Sequence, residues 1–93
     1  MSYFMMRPCR TTAAYVATLR KHLVLDLEEA REALAQDGYR ITDCGVLLLI
    51  HDEPERTLYK TGRILVKGGE EPDARRAVEE IYDRLAITER LAA

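Results

Sequence analysis

The chain has 93 residues, of which 47% are hydrophobic and 32% charged, with a formal net charge of −2. That length suits one domain over residues 1–93 and leaves no room for two, and its core is thin because so short a chain buries only about two-thirds of its unfolded surface. No apolar run approaches the ~20 residues that cross a bilayer, and MSYFMMRPCR has no secretory pattern, so the expected setting is cytoplasmic with no membrane partner.

Residues 1–10 read either as an extra strand or as a flexible arm. In residues 13–19 (AAYVATL) the strand-favouring Tyr15, Val16 and Thr18 argue for a strand, rather than for a helix reaching back towards Thr11. The first helix starts at Asp26, an N-cap with Glu29 three positions on. Leu27, Ala30 and Leu34 form its apolar stripe, and Gly38 closes it. A further short segment fits near Arg40. Residues 46–50 (VLLLI) then form an apolar strand, and residues 51–55 (HDEPE) form a turn in which Pro54 denies a ladder hydrogen bond. A hairpin follows, with strands at 57–60 and 63–67 around Thr61-Gly62. Gly68-Gly69 breaks the pattern, Pro72 suits a first helical turn, and Ala74, Ala77, Val78, Ile81, Tyr82 and Leu85 recur at helical spacing. Residues 86–93 either extend this helix or fray.

The expected order is β-α-β-β-β-α, with one more strand optional: an α+β domain whose antiparallel sheet carries two helices on one face. The other face stays open. Because side chains alternate, Val46, Leu48 and Ile50 oppose Leu47 and Leu49, so this strand is apolar on both sides and one set needs a cover. Val46, Leu48, Ile50 and Leu65 are the expected partner face, which a homodimer or a larger protein complex would bury.

Charge is unevenly placed. No acid precedes Asp26, whereas Arg7, Arg10, Arg20 and Lys21 do, and residues 56–69 are again acid-free while holding Arg56, Lys60, Arg63 and Lys67. Such asymmetry marks an anion-facing surface on a chain of near-neutral total charge, or else ordinary solvated edges. Cys9 and Cys44 make no metal pattern, and Cys44 beside the apolar run is expected to be a buried small hydrophobe. His51 opens an acidic turn, where solvation is the simplest role. With no phosphate-cradling glycine loop and no nucleophile–base pairing, the expectation is a protein with no cofactor, no metal and no catalytic site.

Residues 46–85 (VLLLIHDEPERTLYKTGRILVKGGEEPDARRAVEEIYDRL) resemble the second half of one repeat of the TATA-box-binding protein family. The shared features are a strand, a Glu-Pro turn, a strand ending in an aromatic residue, a Gly turn, and a basic-apolar strand ending in Gly before the last helix. VATL at residues 16–19 and LVLDLEEA at residues 23–30 are similar to the first strand and helix of that repeat. The resemblance implies a curved sheet whose open face lies against a DNA minor groove, with aromatic wedges between base steps. It places the aromatic on Tyr59, a basic position on Arg63, and inner-face positions on Leu65, Lys67, Ala14, Val16 and Thr18. The second wedge position falls near Cys44, the groove-reading asparagine near Ala14 and a small threonine on Lys67. Only one repeat is present, so a complete saddle would take two chains. The expectation is a non-catalytic module that binds nucleic acid through Tyr59, Arg63, Lys67, Lys60, Arg56 and Thr18. The alternative is a protein-interaction domain that uses the same face.

Overall fold

Alternation along the strands decides what faces the helices. A computed structural model describes residues 3–9 and 14–92. Parts of the expected N-terminal arm, including Arg10, and the proposed helical extension near Thr11 fall outside those residues. The described elements are β1 (Phe4–Cys9), β2 (Ala14–Leu19), α1 (Leu27–Gln36), β3 (Ile41–Asp43), β4 (Leu47–Ile50), β5 (Arg56–Tyr59), β6 (Ile64–Lys67), α2 (Glu71–Arg84) and α3 (Ile87–Ala92). The strands form one curved antiparallel sheet in the order β1-β2-β6-β5-β4-β3. The α+β class is therefore as expected. The N-terminal stretch supplies an edge strand, the segment near Arg40 is β3, and the C-terminal tail forms a separate short helix after Ala86, whose φ is +53°.

The register aligns Ala17 with Ile64, Ile64 with Leu58, and Leu58 with Leu48, so these four share a face; each is fully buried. Ile50, Val66, Leu19 and Phe4 follow the same parity and join Leu34, Val78, Ile81 and Ile87 in a single core. α1 packs on β3 and β4, and α2 on β6 and β2. The local signals behave as the chemistry requires. The Asp26 carboxylate accepts hydrogen bonds from the N–H groups of Glu28 and Glu29 at 3.0 and 3.2 Å, satisfying two otherwise orphaned donors of α1. Pro72 occupies the first turn of α2, where a missing N–H costs nothing.

The β5–β6 connection has three residues rather than the expected two. Gly62 N–H donates to the Tyr59 carbonyl, and Tyr59 N–H donates to the Arg63 carbonyl, the pattern of a turn closed by one left-handed residue. Gly62 supplies that conformation at φ +85°, and a Cβ there would strike the Leu19 side chain. At the β1 edge, Arg20 N–H donates to the Tyr3 carbonyl, so Tyr3, Met5 and Arg7 turn their backbone groups to β2 while Met6 and Pro8 turn theirs outward. Pro8 thus sits where its missing N–H breaks no bond within the sheet.

Tyr82 ties these parts together. It is fully buried, its hydroxyl donates to the Gly62 carbonyl, and its ring meets Phe4 edge-on at 5.3 Å and Tyr3 at 5.8 Å. Burial, then the nearby Tyr3, pushes the Tyr82 phenol well above the ordinary tyrosine range, and the Tyr3 phenol is raised chiefly by its own burial. A phenol raised in the folded state stabilises the fold while it stays neutral. That contribution is full below the unfolded value of about 10 and is lost as pH climbs beyond it. Urea unfolding at a series of pH values should therefore show stability falling above about pH 10. Tyr82→Phe should cost about 1 kcal/mol at neutral pH and make that alkaline fall shallower, with Tyr3 supplying the remainder.

Candidate binding face of the sheet

With the helices on one side, the opposite side of the sheet is open. Its strand residues follow from register: Met5 opposite Thr18, Arg7 opposite Val16, Val16 opposite Leu65, Leu65 opposite Thr57, Thr57 opposite Leu49, and Leu47 opposite Tyr59. Val16, Leu65, Leu47 and Leu49 are half-buried and form an apolar stripe across the middle. Lys67 lies opposite Ala14, and Arg63 adjoins Tyr59 at the turn. Of the expected nucleic-acid residues, the structure gathers Tyr59, Arg63, Lys67 and Thr18 on this face. Among the described strand residues of the face none is acidic, while at its margin the Lys67 N–H donates to the Glu55 carbonyl, which continues the β5–β6 register and sets Glu55 opposite Lys67.

Two expected residues lie elsewhere. Arg56 shares the parity of Leu58 and points under the helices, 2% exposed. Its Nη1 donates to the Ala77 carbonyl and to Glu80 Oε2, both at 3.0 Å, and its guanidinium stacks 5.3 Å from the Tyr39 ring. Desolvation makes so deep a charge dependent on these partners, and Arg56 Nε has none. It holds α2 to the sheet and is out of reach of a phosphate. Lys60 also leaves the open face. It lines a hollow at the start of α1 with Asp26, Glu28 and Asp43, a surface that repels polyanions.

The expected partner face needs the same correction. Leu48 and Ile50 are core residues, 0% and 1% exposed, because β4 turns them to the helices. Val46 precedes β4 and stands in solvent at 73% exposure. Only Leu65 of that set is on the open side, where its companions are Leu47 and Leu49. A Leu48→Asp change would therefore test folding, whereas Leu49→Asp tests the surface. Cys44, expected to be buried, is exposed in the β3–β4 turn. Arg7, read from the sequence only as one base of an acid-free segment, joins this face. Its position in MMRPC sets its parity, but only as a strand paired to β2.

The HDEPE turn is a surface network. His51 Nε2 lies 2.6 Å from the Thr42 hydroxyl, and Arg40 donates to Asp52 at 3.1 Å, a hydrogen bond that holds the Asp52 carboxyl below its ordinary range. Among the described residues no group of three or more His, Cys, Asp or Glu is placed to hold a metal ion, and no helix is long and apolar enough to cross a membrane. No family model, no curated protein and no solved structure matches the chain.

The two ends of the Arg56–Glu80 pair should respond differently to mutation in urea unfolding. Glu80→Ala leaves a buried guanidinium without its carboxylate and should cost about 1–3 kcal/mol. Arg56→Met keeps the volume and removes the buried charge, and should be neutral or stabilising by about 1–4 kcal/mol.

Proposed function

We propose that the chain is a non-catalytic module that binds nucleic acid on the open face of its sheet. One observation carries this reading: Tyr59, Thr18, Arg63 and Lys67 meet on one surface whose described strand residues include no acid, with Glu55 opposite Lys67 at its margin. Tyr59 offers a half-exposed ring on which a base can stack, and every base has a π-face, so such contact tolerates sequence. Arg63 and Lys67 stand to either side of the apolar stripe, where guanidinium and ammonium groups pair with phosphate. The succession from β2 to α2, β-α-β-β-β-β-α with helices on one side, is in keeping with a single repeat of the kind the TATA-box-binding protein family carries twice, and α3 follows it.

Fluorescence anisotropy of labelled single- and double-stranded DNA and RNA tests the reading at low and moderate salt. The expected outcome is micromolar or tighter binding that weakens steeply with salt. Tyr59→Ala should reduce affinity by about 5- to 150-fold, the worth of one base–aromatic stack. Absent or salt-insensitive binding overturns the proposal.

A second reading rests on the apolar stripe of Val16, Leu65, Leu47 and Leu49, which suits a homodimer or a larger protein complex. Light scattering distinguishes the two readings. A dimer dispersed by Leu49→Asp, with no affinity for nucleic acid, favours protein contact.

A further inference from the structure

Arg7 and Arg63 flank a hollow of about 390 Å³ on the open face, completed by Met5, Pro8, Val16 and Thr18. The hollow spans β1, β2 and the start of β6. Arg7 lies opposite Val16, and continuing the register from Ala17–Ile64 sets Thr18 opposite Arg63. Six ion pairs form among the described residues, and neither Arg7 nor Arg63 takes part in any of them. Both are exposed, and none of the residues around the hollow is acidic. Two arginines thus border one apolar floor that carries a hydroxyl, and no ion pair among the described residues neutralises them. The group that matches is a compact polyanion with several acceptor oxygens, able to take paired N–H bonds from both forks at once. A phosphate meets that description.

We infer that the Arg7–Arg63 hollow is a phosphate subsite, which fixes the register of a nucleic-acid strand whose neighbouring base lies on Tyr59. This placement rests on the proposed nucleic-acid reading, but the subsite has chemistry of its own that can be tested without it. Tyr59 N–H bonds the Arg63 carbonyl, so the ring sits one strand beyond the hollow. With strands about 4.8 Å apart, hollow and ring are separated by about one or two strand spacings, the scale of a single nucleotide. Arg7 positions the phosphate from the edge strand and Arg63 from the turn, while Tyr59 receives the base.

Two titrations of the full chain separate the alternatives, one with inorganic phosphate and one with a single-stranded oligonucleotide, each followed by amide and arginine Nε NMR signals and by anisotropy. Inorganic phosphate should shift Arg7, Arg63 and Thr18 together and leave Arg84, on the helical side, unmoved. Arg7→Ala and Arg63→Ala should each weaken oligonucleotide binding about tenfold at low salt, and each should lower the slope of log affinity against log salt by about 0.7. Arg7→Lys should keep most of that slope, because the charge remains. Phosphate shifts at these residues without oligonucleotide binding would support the subsite and overturn the nucleic-acid reading, assigning the hollow to free phosphate or a small phosphate ester. Oligonucleotide binding whose affinity and salt slope are unchanged in both alanine variants would overturn the subsite and leave the nucleic-acid reading standing. Silence in both titrations would overturn both.

Discussion

Everything on the open face depends on what Tyr82 does behind it. A phenol with no solvent access must place its hydroxyl on an acceptor, and the acceptor is the carbonyl of Gly62. That single bond pins the β5–β6 turn to α2, while the ring pins β1 through Phe4. The turn in question carries Arg63 and directly follows Tyr59. The positions of the exposed Arg63 and the half-exposed Tyr59 are thus set by a buried side chain on the opposite side of the sheet. Gly62 completes the constraint, since its backbone conformation and its closeness to Leu19 both forbid a larger residue.

Arg56 serves the same architecture with a different chemistry. Burying a guanidinium under a helix makes sense only where carbonyl, carboxylate and ring partners converge, and Ala77 and Glu80 of α2 do so with Tyr39 from the segment between α1 and β3. Glu80 remains half in water, so the pair is anchored at the rim of the core rather than at its centre. This second anchor makes the helix–sheet junction specific in register as well as cohesive. The sheet behind the proposed binding surface is thus anchored to α2 at two points, through Tyr82 and through Arg56, which suits a surface that must hold several groups at fixed spacing.

Much of this was legible from local rules. The Asp26 cap and the Pro72 entry rest on interactions between residues close in sequence and appear where those rules place them; the strand at Tyr15 to Thr18 follows its residue types, and the β5–β6 hairpin is as expected apart from its longer turn. What could not be read was the sense of facing. The run LLLI is apolar on both sides, so nothing in it tells which pair meets the helices; that depends on pairing with β5 across a turn of unspecified register. Arg56 was misplaced for the same reason. An arginine in a basic, acid-free stretch looks exposed until its parity matches Leu58 and a carboxylate arrives from α2, 24 residues away. Arg7 was legible as a base in an acid-free segment but not as a residue of this face, because that placement needs β1 to be a strand, and the brief stretch FMMRPC carries no alternation strong enough to require one. The tail likewise hides its break, since a single residue at positive φ, Ala86, divides α2 from α3.

The placement of Pro8 has a bearing on how the molecule behaves in a crowded solution. An unpaired outer strand is a template on which foreign chains can grow, and a face bearing Leu47, Leu49, Leu65 and Val16 would invite such growth. Beyond Met6, the outward row of β1 offers an incoming strand a carbonyl but no amide, so lateral growth meets a gap in its hydrogen-bond ladder. The opposite margin, β3, is only three residues long and includes Asp43. Both sides of the sheet therefore resist being extended into fibrils, which allows the chain to keep an apolar surface accessible without that surface becoming a seed for precipitation.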